Sequence, residues 1–169
     1  MKKTHSRISH PPMPPKHGYL WEGTHMETQE KPIVCAIRRD VDVYVAIGRG
    51  REMADTLGFD AINRTRIEIV ILELTRNILV HAKGGDLHIV YVTHGNRRGI
   101  AIEAHDRGPG IPDISLAMRD GYSTAHTLGA GLPGVKRLMD EFSIQSTVGE
   151  GTHVRAVKWV PQRFEGYHR

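Results

Sequence analysis

Between residues 65 and 82 the apolar positions Ile67, Val70, Ile71, Leu74 and Ile78 recur at spacings of three, four and seven, and directly afterwards the period changes. "LHIVYVT" and "GIAIEAH" alternate apolar and polar residues and are joined by "HGNRR". A stripe of period 3.6 must bury one face of a helix, and a period of two must bury one face of a sheet. A long helix feeding an antiparallel hairpin satisfies both when the helix lies on the sheet.

The rest of the chain fits that layering. Thr65 with Glu68 is a capping-box signature, which predicts the helix over about 65–82 with a stop at Gly84-Gly85. "PIVCAIR" (32–38) predicts a strand. "DVYVAIGRGREMADTLGF" predicts a helix with Val43, Ile47, Met53, Ala54 and Leu57 on its stripe and a glycine at its end. A short helix is expected through "ISLAMRD", an aperiodic loop in "GYSTAHTLGAG" and a helix from Leu132 to Phe142. The last hairpin pairs "FSIQST" with "THVRAVKWV" around "VGEG". The expected fold class is α+β, a two-layer sandwich with helices on one face of a mixed, mostly antiparallel sheet.

A chain of 169 residues suits one domain. No stretch approaches the roughly 20 apolar residues of a membrane span, so no membrane partner is expected. The net charge of +4 is scattered and aromatics are only 6% of the chain, which argues against nucleic acid. Cys35 lacks an internal disulfide partner and lies within "IVCAI", the pattern of a buried strand thiol in a reducing, cytoplasmic protein. Residues 1–29 read as a disordered, proline-bearing extension without a signal-peptide apolar block, with Met26 an alternative start, and 161–169 as a tail.

Several short patterns could carry chemistry. Glu73 and Asn77 in "ELTRN" lie four apart on one helix face, where an acid can take a proton and an amide oxygen can hold magnesium. His81 is one turn on, and a solvated helix flank is the ordinary alternative. "DRGPGI" follows the strand "GIAIEAH": Asp106 either makes a turn or offers a carboxylate to the N6 amino group of adenine. In the second case Gly108 and Gly110 let the backbone approach the base. "GAGLPG" (129–134) matches G-x-G-x-x-G but lacks the first strand and the βαβ unit of a dinucleotide fold. What remains is a hinge, or a set of backbone N–H groups suited to an anion. Thr152, closing "GEGT", could put a hydroxyl near the base. The eleven histidines show no H-x-x-x-H spacing and no cysteine partners, which argues against a zinc site, and Ser123 and Thr124 read as loop hydroxyls.

The order of these patterns is more specific than any one of them. E-x-x-x-N on a helix, D-x-G-x-G after a hairpin, a loop, G-x-G before a helix and G-x-G-T in a closing hairpin resemble the GHKL (Bergerat-fold) ATP-binding superfamily over roughly residues 30–160. The run "DGYST…LGAGLPG.KRLMDEF" is similar to its anti-sigma-type serine/threonine kinases. The resemblance implies an ATP-binding kinase domain over 30–160 that uses Mg2+. It implies Glu73 as general base, Asn77 as magnesium ligand, His81 near the phosphates, Asp106 as acceptor for adenine N6 and Gly108 and Gly110 as the adenine floor. Gly129 and Gly131 would form the phosphate-side loop, 121–131 the lid, and Thr152 would lie near the base. It further implies phosphorylation of a serine in a STAS-domain antagonist and, on release, activation of a PP2C-type phosphatase in stress or sigma-factor signalling. The alternative is a module that ATP locks into a partner-binding shape, an anti-sigma factor or phosphatase activator with phosphorylation secondary. Some relatives carry an Arg in the lid where this sequence has "AHTLGAG", which leaves Lys136 or Arg137 as phosphate contacts if they face the site.

Overall fold

A computed structural model describes residues 31–119 and 131–162. The expectations for the N-terminal extension, for the lid through residue 130 with Ser123, Thr124, His126 and Gly129, and for the end of the tail lie outside the described residues.

Strands β1 (Ile33–Ile37), β2 (Gly85–His94), β3 (Arg97–Asp106), β4 (Glu141–Thr147) and β5 (Gly151–Trp159) form one sheet in the order β1-β2-β3-β5-β4. Every pairing is antiparallel. Helices α1 (Asp40–Leu57), α2 (Ala61–Asn77) and α4 (Gly131–Leu138) cover one face, and a single turn, α3 (Ile114–Ala117), follows the β3 end. The alternation of the hairpin sorts its side chains: Leu87 and Ile89 of β2 and Ile100, Ile102 and Ala104 of β3 join Ile67, Ile71 and Leu74 of α2 in the main core. The two-layer α+β arrangement follows from that sorting. Among the described residues no helix is long and apolar enough to cross a membrane.

The helix boundaries differ from the sequence expectation where side chains serve distant partners. α2 starts at Ala61, not 65, because Asp60 caps it by accepting from Asn63 N at 2.8 Å. Thr65 instead bonds back to Ala61 O, and Glu68 pairs with Arg51 of α1 at 2.8 Å. At its other end α2 widens into a π-helical turn, Ile78–Ala82, closed by Lys83 in the left-handed region at φ 58°. α4 stops at Leu138, short of Phe142, because Asp140 is tied to β5. Its N–H donates to Val157 O at 2.8 Å, and its carboxylate accepts from Trp159 N at 2.7 Å and Lys158 Nζ at 2.9 Å. Phe142 therefore lies on the edge strand β4. The helix expected through "ISLAMRD" is the one turn of α3, capped by Asp113.

The reverse face of the sheet has a smaller apolar cluster of Val90, Val92, Ala101, Val157 and Trp159. Beside it Glu103 is held down at about 2 by His105 and then by Arg155, while burial first and His105 second lower His153.

Candidate functional site

A cavity of about 290 Å³, at the small end for a ligand pocket, opens between α2, the π-helical turn, the ends of β3 and β5, and the start of α4. Leu74, Ile78, Ala104, Ile111, Leu132 and Val154 give it apolar walls, and its polar positions are Asn77, His81, Asp106 and Thr152. A flat, largely apolar moiety with a few polar edges suits such a lining.

Register explains how distant residues meet. Asp106 ends β3 directly opposite Thr152 of β5 and Gly85 of β2. Asn77 is the last residue of α2, one turn before His81. Of the two readings of Asp106, the turn is present, since Oδ1 accepts from Gly108 N at 2.8 Å, and the residue also lines the cavity.

The glycines after it are required by protein contacts. A Cβ on Gly108 would come within 2.7 Å of the Ala82 Cβ and 2.9 Å of its Cα, so the turn packs directly on the π-helical turn. Gly110 lies at φ 73°, where a Cβ would also collide with Thr147 O. Gly110 lines the cavity and Gly108 does not.

Glu73 takes a position the helical stripe did not suggest. It is 1% exposed, one turn behind Asn77, and does not line the cavity. Its Oε2 is buried without a hydrogen-bond partner among the described residues, an acceptor that a proton donor or a cation would satisfy. With an amide on the cavity wall one turn away, that donor set is compatible with a metal-bearing polyphosphate. Gly131, at φ 63°, opens α4 at the cavity rim with Leu132 and Pro133. Lys136 and Arg137 are exposed and are not among the residues that line the cavity.

Ser146 was missed. Its hydroxyl donates to Gly151 O at 3.0 Å, accepts from Ile111 N at 2.8 Å and lies 2.8 Å from Thr152 Oγ1. Either hydroxyl can donate in the Ser146–Thr152 bond, and in both cases Thr152 keeps a lone pair able to accept from a ligand. The signal was present in "FSIQST": Phe142, Ile144 and Ser146 share one strand parity, so Ser146 is a polar residue on a core-facing position.

Comparison with known proteins bears on the whole arrangement. Residues 40–158 match the histidine kinase-like ATPase domain family. The chain is 49% identical over 124 residues to the serine/threonine-protein kinase RsbT of Bacillus subtilis (strain 168), covering 73% of this chain and 93% of that protein. It is 32% identical over 100 residues to the anti-sigma F factor of Thermoanaerobacter sp. (strain X514), covering 56% of this chain and 68% of that one. The crystal structure of the RsbU and RsbW domains of a Mycobacterium tuberculosis protein superposes with a TM-score of 0.53 at 19% identity, over 80% of this chain and 34% of that one. At that identity the likeness concerns the fold, and the chain spans about a third of the solved structure it matches. With a family match over most of its length and a relative at 49% identity, the chain belongs to the histidine kinase-like (GHKL) ATPase family, in its anti-sigma-type serine/threonine kinase branch.

Proposed function

We propose that this protein is a single ATP-binding kinase domain, over residues 30–160, that transfers the γ-phosphoryl group of ATP to a serine of a STAS-domain antagonist. On release from that partner it activates a PP2C-type phosphatase, as a cytoplasmic switch in sigma-factor and stress signalling. In the transfer, the serine oxygen bonds to the γ-phosphorus as the bond to the β-phosphate oxygen breaks. ADP leaves, and the serine proton passes to Glu73. Asp106 accepts from the adenine amino group with Thr152 beside it, and Gly110 leaves room for the base. Asn77 offers its amide oxygen to Mg2+, which when bound neutralises phosphate charge. His81 and the N–H groups of the loop from Gly129 to Gly131 serve the phosphates. Catalysis of this kind is mostly positioning and charge stabilisation, which fits a site with so few reactive groups.

The reading is carried by one observation: Glu73 Oε2 is buried and unsatisfied among the described residues, one helical turn before Asn77, which lines the cavity together with Asp106 and Thr152. Such an oxygen is costly for a residue with only a structural role. Incubation with γ-labelled ATP and a purified STAS-domain partner tests it. Label on a partner serine is expected, and label that stays on nucleotide with both proteins folded and associated would overturn it.

A second reading, an ATP-locked binding module, is favoured by the fact that Glu73 does not line the cavity wall. In that case nucleotide strengthens partner binding equally in wild type and Glu73→Gln, and no phosphoserine forms.

A further inference from the structure

The sheet face turned away from the helices carries a second group of ligating side chains. His88 and Glu103 are cross-strand partners on β2 and β3, and His105 and His153 are cross-strand partners on β3 and β5. Residues 103 and 105 share a parity, so all four side chains leave the sheet on one face. The His105 ring lies 4.6 Å from that of His88 and stacks on that of His153 at 4.1 Å. One ligating atom from each of His88, Glu103 and His105 falls within 4.8 Å of the others.

Two further features set this group apart from a chance gathering of polar residues. Nε2 of His153 is buried and lacks a hydrogen-bond partner among the described residues, and the buried Nε2 of His105 has only the Glu103 carboxylate near it, beyond ordinary hydrogen-bond length. Buried imidazole nitrogens are ordinarily satisfied. Glu103, in turn, is divided in its contacts. Oε1 accepts from Arg155 Nε at 2.8 Å, while Oε2 stands 3.5 Å from His105 Nε2. That is long for a hydrogen bond and close to the roughly 3.3 Å between two ligands on a tetrahedral zinc with bonds near 2.0 Å. A carboxylate oriented through its other oxygen is also how metal-ligating carboxylates are held by their outer partners.

The geometry points to a Zn2+ site on the reverse face of the sheet, with His88, Glu103 and His105 as ligands, His153 packed behind His105 and a fourth position left to solvent. Two imidazoles and a carboxylate are the donor set that borderline-soft zinc takes. The spacing 88, 103, 105 has no linear signature, because the hairpin register brings the three together; this is why the lack of H-x-x-x-H spacing and of cysteine partners argued against zinc. His105 precedes Asp106 and His153 follows Thr152, so the ion would brace the same strand ends whose other face lines the cavity.

Titration of the full chain with Zn2+ alone, by calorimetry, tests the site, with Co2+ absorption as a second readout. One ion is expected at this site, with the intense visible bands of tetrahedral cobalt and a rise in Tm on adding Zn2+. The double variant His88→Ala/His105→Ala should bind at least about tenfold more weakly and lose both the bands and the shift. Glu103→Gln, which keeps the side chain's shape, should weaken binding in the same direction and covers the case in which the double variant misfolds. Replacing His5, His10, His17 and His25 by Ala should leave this ion in place. Absence of binding in the wild type, unchanged affinity in both ligand variants, or loss of the ion with the four N-terminal substitutions would each overturn the proposal.

Discussion

Asp106→Asn separates the turn that the carboxylate forms from the adenine contact proposed for it. The variant keeps an Oδ1 able to accept from Gly108 N, the 2.8 Å bond that forms the turn, and replaces the other oxygen with an NH2 group. Where that oxygen meets the adenine amino group, a donor then faces a donor. A hydrogen bond to a charged group contributes about 1.5–3 kcal/mol, so ATP affinity should fall by about 10- to 150-fold. Stability should move by less than about 0.5 kcal/mol, because the turn persists. Displacement of a fluorescent ATP analogue gives the first quantity and denaturant unfolding the second. Wild-type affinity in the Asn variant, or a loss of affinity matched by unfolding, would refute the reasoning and leave Asp106 as a turn former alone.

Two other predictions concern the helical layer. Gly48 has no atom near a prospective Cβ, whereas on Gly50 a Cβ would overlap Ile71 Cδ1 in the α1–α2 contact. Gly48→Ala should therefore gain up to about 1 kcal/mol, and Gly50→Ala should be about 1–3 kcal/mol less stable than Gly48→Ala; equal unfolding midpoints would contradict this. Arg51 donates to both oxygens of Glu68 at 2.8 and 3.0 Å and holds that carboxyl below its ordinary value. A depressed folded-state pKa means the stabilisation is present above the unfolded carboxyl range and is lost as pH falls through the lowered value. The destabilisation by Arg51→Ala should thus be seen at neutral pH and close in acid, and a gap independent of pH would refute the pairing.

The periods of the sequence were sufficient for α1, for the β2–β3 hairpin and for the final hairpin, because burial of one face determined each of them. Boundaries failed where side chains answered to residues far away: Glu68 to Arg51, which left the apparent capping box unused, and Asp140 to Lys158 and Trp159, which ended α4 early. Asn77, Asp106 and Thr152 could be picked out because their motifs are local, and the strand register then brought 106 and 152 together. The burial of Glu73 could not be read, since a carboxylate beside an apolar stripe looks the same whether it faces water or core. Gly108 looked like a ligand-side glycine, but its constraint is Ala82, a tertiary contact. The His88–Glu103–His105 group was invisible for the same reason, being made by register.

Single-turnover phosphoryl transfer from ATP to the partner serine, measured for wild type and Glu73→Gln alongside ATP affinity, tests the central assignment most directly. Loss of a positioned general base should slow transfer by about 10²- to 10⁴-fold while ATP binding stays within a few-fold of wild type. Equal transfer rates would show that the buried carboxylate takes no part in the chemistry.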